Sequence, residues 1–344
     1  MRCMLVGTGF GATHSCWLKA IPCVEIDTLI YNKDKVKADK LMREHGINQI
    51  GTDAESILCK KPFDLVSIVS PPSTHAYYLR AALDAGVPAV VDKPLAESIV
   101  VARDMQAMSE SARCSTFTFF QWLLHPAAMR LREIRESGRL GKITHVEGGF
   151  DHSFLSSNQT NWPWRHRAEL AGGGSLGDMG VHLFDLVRFV TGFEWRTISA
   201  RCGQAHPVRQ GPDGLVSCAT DDFADVNLVA LDGLTTGRIV TSRVAIGEHR
   251  LWIRLYGSQA AVGAIFDPDT SAASILTTDG AVQQCVEEFP PDNFNPYLPI
   301  LAALRGEVRN APVPASIADG LAAQSLMCAA VSASQNLAPN LSKS

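Results

Sequence analysis

The chain has 344 residues, a formal net charge of −4 and 46% hydrophobic residues against 19% charged. That length exceeds what one hydrophobic core usually organises, so two domains are expected, and the composition excludes a disordered or fibrous protein. Mild acidity without a basic stripe excludes a nucleic-acid partner.

In chain order, Cys3–Val6 reads as a strand and Ala12–Ala20 as the helix after it. Ile26–Tyr31 is a second strand, and Lys35–His45 a helix ended by Gly46. Leu65–Val69 is a continuous apolar strand, followed by a helix from about Thr74 to Ala85. Ala89–Val91, Ile99–Ser111 and Thr116–Phe120 read as strand, helix and strand. Strands buried on both faces and joined by helices predict a doubly wound parallel sheet over residues 1–122.

Over 123–344 the pattern changes. A helix at Ala127–Ser137 leads to a strand at Ile143–Phe150, and the stretch from Ile198 to Phe266 is rich in strand patterns. In Arg250–Tyr256 aliphatics alternate with Arg, Trp and Tyr, which predicts a sheet with one buried face. Its other face is either solvated or a subunit interface. A helix near Ile317–Ser334 closes the pattern.

Nine cysteines without a Cys-x-x-Cys pair argue against a disulfide framework or structural zinc, and suit a reducing compartment. The first apolar stretch is too short for a signal-peptide core and no long apolar run follows, so a cytoplasmic protein without a membrane partner is expected.

Four segments carry most of the chemistry. Gly7-Thr8-Gly9-Phe10-Gly11-Ala12 lies where the first strand meets the first helix. There Gly7 permits a tight turn, Gly9 lets backbone approach a pyrophosphate, and Ala12 lets helix and strand pack closely. An ordinary glycine turn is the competing reading. The second strand ends at Tyr31-Asn32-Lys33, where an acidic residue normally grips the ribose of NAD. Asn32 and Lys33 would instead accept a 2′-phosphate, so NADP is preferred over NAD, unless Lys33 is merely a turn lysine.

Two further segments follow buried strands, at the end of the sheet where ligands bind. In Ser70-Pro71-Pro72-Ser73-Thr74-His75 the prolines stiffen a loop against which a planar ring can lie. In Asp92-Lys93-Pro94 the lysine can polarise a substrate hydroxyl or carbonyl, although a surface lysine is the alternative.

The fourth segment is Gly172–Asp185. Placed on a helix, Leu176, Met179, Leu183, Leu186, Val187 and Val190 form an apolar stripe, with Asp178, His182 and Asp185 on a second one. A carboxylate one turn from an imidazole can fix its tautomer, as a general base requires. A half-buried structural histidine competes with that reading. No metal is expected, because no further Cys or His partners accompany the pair. Trp164 and Arg165, in the Asn161–Arg165 loop, could face a sugar ring, cover the nicotinamide or pack in a core.

Together these motifs resemble those of the Gfo/Idh/MocA family, the relatives of glucose–fructose oxidoreductase and inositol dehydrogenase. Gly7–Ala12 is similar to the family's cofactor turn, Ser70–His75 to its Pro-x-x-x-His segment and Asp92-Lys93-Pro94 to its Glu-Lys-Pro. Gly172–Asp185, Asp221-Asp222-Phe223-Ala224 and Leu255-Tyr256-Gly257-Ser258 are similar to later motifs, in the same order. Asp92 departs from the usual glutamate, and Gln121-Trp122-Leu123 lacks an arginine often found before the proline, here Pro126.

The resemblance implies a Rossmann domain followed by an α/β domain with a large, mostly antiparallel, open-faced sheet. It implies Lys93, Asp178 and His182 as catalytic residues, with His182 the acid/base, Lys93 holding the reacting oxygen and Asp178 positioning substrate or histidine. The cofactor would meet Gly7–Ala12, Asn32, Lys33, Ser70, Pro71, Pro72, His75, Asp92, Lys93, Gln121, Trp164 and Arg165. The expected substrate is a sugar, cyclitol or related polyol, in a homodimer or homotetramer formed through the C-terminal sheet. Net epimerisation, elimination or glycoside cleavage with a recycled cofactor, and a non-catalytic sugar regulator, are the alternatives.

Overall fold

The computed structural model describes residues 1–279, 284–291, 294–307 and 313–337. It divides into two compact units: Met1–Phe120 with Asn295–Leu321, and Gln121–Phe294 with Ala322–Ser344.

The first unit runs β1 (Arg2–Val6), α1 (Gly11–Lys19), β2 (Glu25–Ile30), α2 (Lys35–His45), β3 (Gln49–Gly51) and α3 (Ala54–Leu58). It continues with β4 (Leu65–Ile68), α4 (His75–Asp84), β5 (Ala89–Asp92), α5 (Ile99–Ser111) and β6 (Thr116–Phe119). All six strands are parallel, in the order β3-β2-β1-β4-β5-β6. That order reverses direction between β1 and β4, and the crevice above such a switch point is where dinucleotides bind. The strands are short apolar runs because helices cover them. Met4, Val6, Val66, Ile68, Ala89 and Val91 share one cluster with Leu79, Ala82, Ala102 and Met105 from the helices. Asp34, Asp53 and Ser98 cap α2, α3 and α5 through their side chains, which places the helix starts. The three-residue β3 and the short α3 had no counterpart in the expected elements, being too brief to show a period.

The second unit contains α6 (Pro126–Glu136), β7 (Ile143–Asp151), α7 (Ala168–Ala171), α8 (Val181–Thr191), β8 (Trp195–Gly203), β9 (Val208–Gly211) and β10 (Gly214–Ser217). It continues with β11 (Phe223–Ala230), β12 (Thr236–Ser242), β13 (Arg250–Gly257), β14 (Ala260–Phe266), β15 (Ala273–Asp279) and β16 (Gln284–Phe289). Eight of these strands form one sheet in the order β16-β15-β14-β13-β7-β12-β11-β8. Only the β7–β12 pairing in it is parallel. Leu251, Ile253, Leu255, Val262, Ala264 and Phe266 are buried on one face, where α6 and α8 pack. Trp252, Arg254, Tyr256 and Ile265 alternate onto the other.

After the sheet come α9 (Tyr297–Leu304) and α10 (Ile317–Leu337). Placing all of 123–344 in the second domain therefore needs adjustment: Asn295–Leu321 belongs to the first unit. Its side chains explain why. Asn295 donates to the Trp17 carbonyl at 2.7 Å, and Thr118 donates through its backbone and Oγ1 to Ala315 and Ser316, each at 2.9 Å. By length and composition α10 could cross a membrane, yet Ala323, Gln324, Met327 and Ala330 on it are buried within the protein. Residues 338–344 lie outside those described.

Candidate functional site

In the first unit the turn after β1 is shaped by close backbone approach. Gly7 has φ +111°, and a Cβ there would stand 2.6 Å from the Val69 carbonyl oxygen, so no other residue fits without shifting β4's end. Gly9, by contrast, faces open space. α1 starts without a side-chain cap and with no acidic residue in its first turn. No side chain of its own thus meets the positive dipole end of the helix, which suits an anion such as a pyrophosphate.

Beyond β2, Asn32 and Lys33 are both exposed. The nearest acid, Asp34, accepts from the Lys37 N–H at 2.8 Å as the cap of α2. Its carboxylate is committed to the helix.

The Ser70–His75 loop ends in a 3-10 turn, with Pro71 exposed and Pro72 buried. His75, expected among the cofactor contacts, is 1% exposed and spans two carbonyls, Ser70 O at 2.7 Å and Leu95 O at 3.0 Å. Burial lowers its pKa to about 4. A neutral ring donates to one of these carbonyls at a time, and packed between them it braces the two loops. Asp92 ends β5 almost fully buried, and Lys93, half-buried, precedes Pro94 through a cis peptide bond.

His14, one turn into α1, had drawn no attention in the sequence. It is 1% exposed, and its Nδ1 lies 2.6 Å from the Tyr297 hydroxyl, itself 2.5 Å from Ser67 Oγ. Its pKa falls to about 3, first through burial and then through the positive charge of Lys93.

In the second unit the glycine-rich segment is not a plain α-helix. Leu176–Gly180 is a π-turn leading into α8, with the Val181 N–H reaching the Leu176 carbonyl. The extra residue in that turn shifts the i, i+4 stripe, and such turns often mark functional sites. Gly174 is required here: a Cβ on it would collide with Asp221 backbone, 1.9 Å from the carbonyl oxygen. Asp221 fastens the start of the turn, accepting from Ser175 Oγ and from the N–H groups of Gly174 (3.0 Å) and Leu176 (3.1 Å).

Asp178 is held by two arginines. Arg165 Nη1 donates to its Oδ1, and Arg243 Nη1 donates to its Oδ2 at 3.0 Å. Arg243, wholly buried, also donates to Asp222 Oδ1 at 3.1 Å, which accepts from the equally buried Arg209 at 3.0 Å. The result is an alternating chain of charges: Arg165, Asp178, Arg243, Asp222, Arg209. Arg165 also lies over the Trp164 ring, 4.7 Å from its centroid. His166 beside this chain has its pKa lowered to about 4, by burial first and then by Arg243 and Arg209. His182 is 4% exposed and sits 6.2 Å from the Phe150 ring, centroid to centroid. Gln121 is half-buried, and its buried Oε1 has no hydrogen-bond partner among the described residues. Among those residues no group of three or more His, Cys, Asp or Glu is arranged to hold a metal.

A parallel sheet with this switch point, an uncapped glycine turn and a second α/β unit define a dinucleotide-binding oxidoreductase class. Residues 1–120 match the model of the oxidoreductase family with an NAD-binding Rossmann fold, and residues 128–262 match the GFO/IDH/MocA C-terminal domain. The chain belongs to the Gfo/Idh/MocA family of oxidoreductases.

Among its relatives is the levoglucosan dehydrogenase of Pseudarthrobacter phenanthrenivorans, 26% identical over 57% of this chain and 52% of that protein. Only about half of that relative is thus spanned. The D-xylose dehydrogenase of Paenarthrobacter nicotinovorans is 24% identical over 88% of this chain and 76% of its own length. In solved structures the fold recurs in levoglucosan dehydrogenase complexed with NADH and levoglucosan, with TM-score 0.86 at 20% identity, covering 98% of this chain and 97% of that one. It recurs equally in an oxidoreductase domain protein from Kribbella flavida, with TM-score 0.86 at 22% identity, covering 97% and 96%.

Proposed function

We propose that this protein is a dehydrogenase or reductase acting on a CH–OH carbon of a sugar, cyclitol or related polyol, with NADP preferred over NAD. The observation that carries this reading is the Gly7–Gly11 cradle before an uncapped, acid-free helix start, in a chain of this family. Thr8, Phe10 and Ala12 would complete the pyrophosphate contacts, and Ser70, Pro71, Pro72, Asp92 and Gln121 would flank the cofactor. The preference for NADP is supported by exposed Asn32 and Lys33, an amide and a cation where an acidic residue would repel a 2′-phosphate. When bound, the dinucleotide supplies the hydride acceptor or donor.

The chain's own residues then handle the proton and the charge. His182 takes the proton of the substrate hydroxyl in oxidation and returns it in reduction. The Lys93 ammonium holds a substrate oxygen and offsets developing negative charge on it. Asp178 has a guanidinium on each oxygen, and its role is to fix Arg165 over Trp164 as a donor to hydroxyl groups. The levoglucosan, D-xylose and D-glucoside dehydrogenases among the relatives support a neutral sugar as substrate.

A second copy of the chain is proposed to cover the open face of the eight-stranded sheet, around Trp252, Tyr256 and Ile265, with Ile265 52% exposed. Light scattering of the wild type and Ile265→Asp tests this; an unchanged monomer mass in both refutes it. A cytoplasmic location is proposed with it, to be checked by fractionation.

The deciding experiment offers NADP and NAD, each with levoglucosan, D-xylose, alkyl glucosides and inositols, and follows absorbance at the reduced nicotinamide band. Turnover with at least one substrate, lowered on the order of hundreds-fold or more in His182→Ala while dinucleotide affinity holds, is expected. Absent dinucleotide binding, or full turnover in His182→Ala, would overturn the reading. Lys33→Ala should weaken NADP and leave NAD unchanged; equal effects on both would refute the NADP preference.

A further inference from the structure

We propose that Trp162 is a specificity-determining residue that stacks against a ring attached to the reacting sugar, so that the substrate is a glycoside and not a free monosaccharide. The inference rests on the reading of Arg165 as a donor to sugar hydroxyls given above, and its geometry lies wholly within the second unit.

The segment Asn161-Trp162-Pro163-Trp164-Arg165 sets two indoles and a guanidinium around one proline. Pro163 opens a 3-10 turn over Pro163–His166, and the Arg165 N–H donates to the Trp162 carbonyl at 3.0 Å. Side chains three residues apart eclipse one another in such a turn, so Trp162 and Arg165 project from the same side. The guanidinium carbon accordingly lies 5.9 Å from the Trp162 ring centroid and 4.7 Å from that of Trp164, while Arg165 Nη1 bonds Asp178. The turn is fastened from behind. The Trp162 N–H donates to Thr160 Oγ1 at 3.1 Å, a hydroxyl 3.0 Å from Nε2 of the buried His166, and the Thr160 N–H donates to the Gln210 carbonyl at 2.9 Å.

The indole so held is left open. Trp162 is 39% exposed, whereas the other five tryptophans are buried or half-buried. Phe154 stands edge to face with it, 6.3 Å between centroids, and extends the apolar surface. A ring fixed in advance binds without the ordering cost that a mobile side chain incurs. Its π face is weakly negative and offers no hydrogen bond, so its match is the C–H face of a pyranose or an aromatic ring. Arg165 supplies the hydrogen bonds instead, through the N–H groups that Asp178 does not take. A monosaccharide bonded to Arg165 beside Trp164 leaves Trp162 bare. A ring joined to that sugar through a glycosidic oxygen reaches Trp162, because one guanidinium lies near both indoles and so keeps them within a disaccharide's length.

Isothermal titration of the full-length protein tests this, with NADPH or NADH present so that the sugar is not oxidised. The probes are the methyl and phenyl β-D-glucopyranosides and β-D-xylopyranosides, and the readout is the ratio of phenyl to methyl affinity in each series. In the wild type the phenyl glycoside of at least one series should bind about five- to tenfold more tightly. That ratio should fall towards one in Trp162→Ala and be largely kept in Trp162→Phe, which retains a ring. A merely structural role would weaken both glycosides equally. A ratio of one in the wild type, or an unchanged ratio in Trp162→Ala, therefore overturns the proposal. An unchanged ratio together with a smaller mass by light scattering overturns it in favour of a subunit contact at Trp162. A wild type that binds D-glucose, D-xylose or inositol but none of the glycosides overturns this inference alone, whereas one that binds no sugar overturns the reading it rests on as well.

Discussion

Replacing Arg243 with methionine should destabilise the second unit more than any exposed ion-pair deletion. The change removes donors at 3.0 Å from Asp178 and 3.1 Å from Asp222, and a longer bond of 3.3 Å to Thr220. It leaves two carboxylates in a site where the guanidinium was wholly buried. Breaking a buried pair from one side costs about 3–5 kcal/mol. The lower end applies here, because neither carboxylate is stranded. Asp222 keeps Arg209 at 3.0 Å and the N–H groups of Ala205 (3.0 Å) and His206 (3.3 Å), and Asp178 keeps Arg165. A loss of about 3 kcal/mol in a domain of this size lowers Tm by roughly 6–12 °C. Five of the six tryptophans (122, 162, 164, 195 and 252) lie in the second unit, so fluorescence-detected thermal unfolding reports it selectively. Arg243→Lys, with one ammonium unable to bridge both carboxylates, should lie between. A loss below about 1 kcal/mol in Arg243→Met would show the charge chain to be as weak as a surface pair and would refute this reasoning.

Gly7→Ala should weaken dinucleotide binding by at least tenfold by equilibrium titration, since its Cβ meets the Val69 carbonyl at 2.6 Å; unchanged affinity would show that the turn is not the cradle. Acid should destabilise the fold well above the carboxylate range. His75 and His166 stay neutral in the native state down to about pH 4, and His14 to about 3, because burial opposes their protonation. The unfolded chain takes up those protons near pH 6.5, so each histidine removes stability as pH falls from about 6.5 to its native value, by about 1.4 kcal/mol per pH unit at most. Urea midpoints at pH 7.0, 5.5 and 4.5 should fall in step; a flat profile from 7.0 to 5.0 contradicts the neutral burial of these rings. Gly174→Ala should cost the second unit stability in the same thermal assay, and a Tm within 1–2 °C of wild type, little more than surface substitutions cause, would mean the Asp221 backbone yields easily.

The parts of the fold that were legible carried their pattern locally. The glycine turn, the strands β1, β2, β4 and β5 and the helices capped by Asp34 and Ser98 each announce themselves within about a dozen residues. The alternation in Arg250–Tyr256 fixed which face of β13 is buried, and it is the face observed. What escaped was either too short or too distant. β3 has three residues, and β15 and β16 mix polar and apolar residues too evenly for their period to stand out. The π-turn leaves no mark on composition, so Asp178 and His182 were placed on an uninterrupted helix. The charge chain joins arginines at 165, 209 and 243, brought together only by the sheet. The Asp221-Asp222 pair was noticed as a motif, but its division of labour, one residue on the turn and one on two arginines, needed coordinates. His14 was hidden for a similar reason, since its partner Tyr297 is 283 residues away.

That distance has a consequence for biosynthesis. When β6 leaves the ribosome, the nucleotide-binding sheet already has all six strands, yet Tyr297, which packs on Phe119 and bonds Ser67, and Ile317, a member of the sheet's core cluster, do not exist. At about 5–20 residues per second, translation of the roughly 200 intervening residues takes on the order of 10–40 s. For that interval the nascent sheet displays the apolar surface that α9 will later cover. Chaperone occupancy on ribosome-bound chains should therefore persist through synthesis of the second unit and end soon after residue 321 emerges.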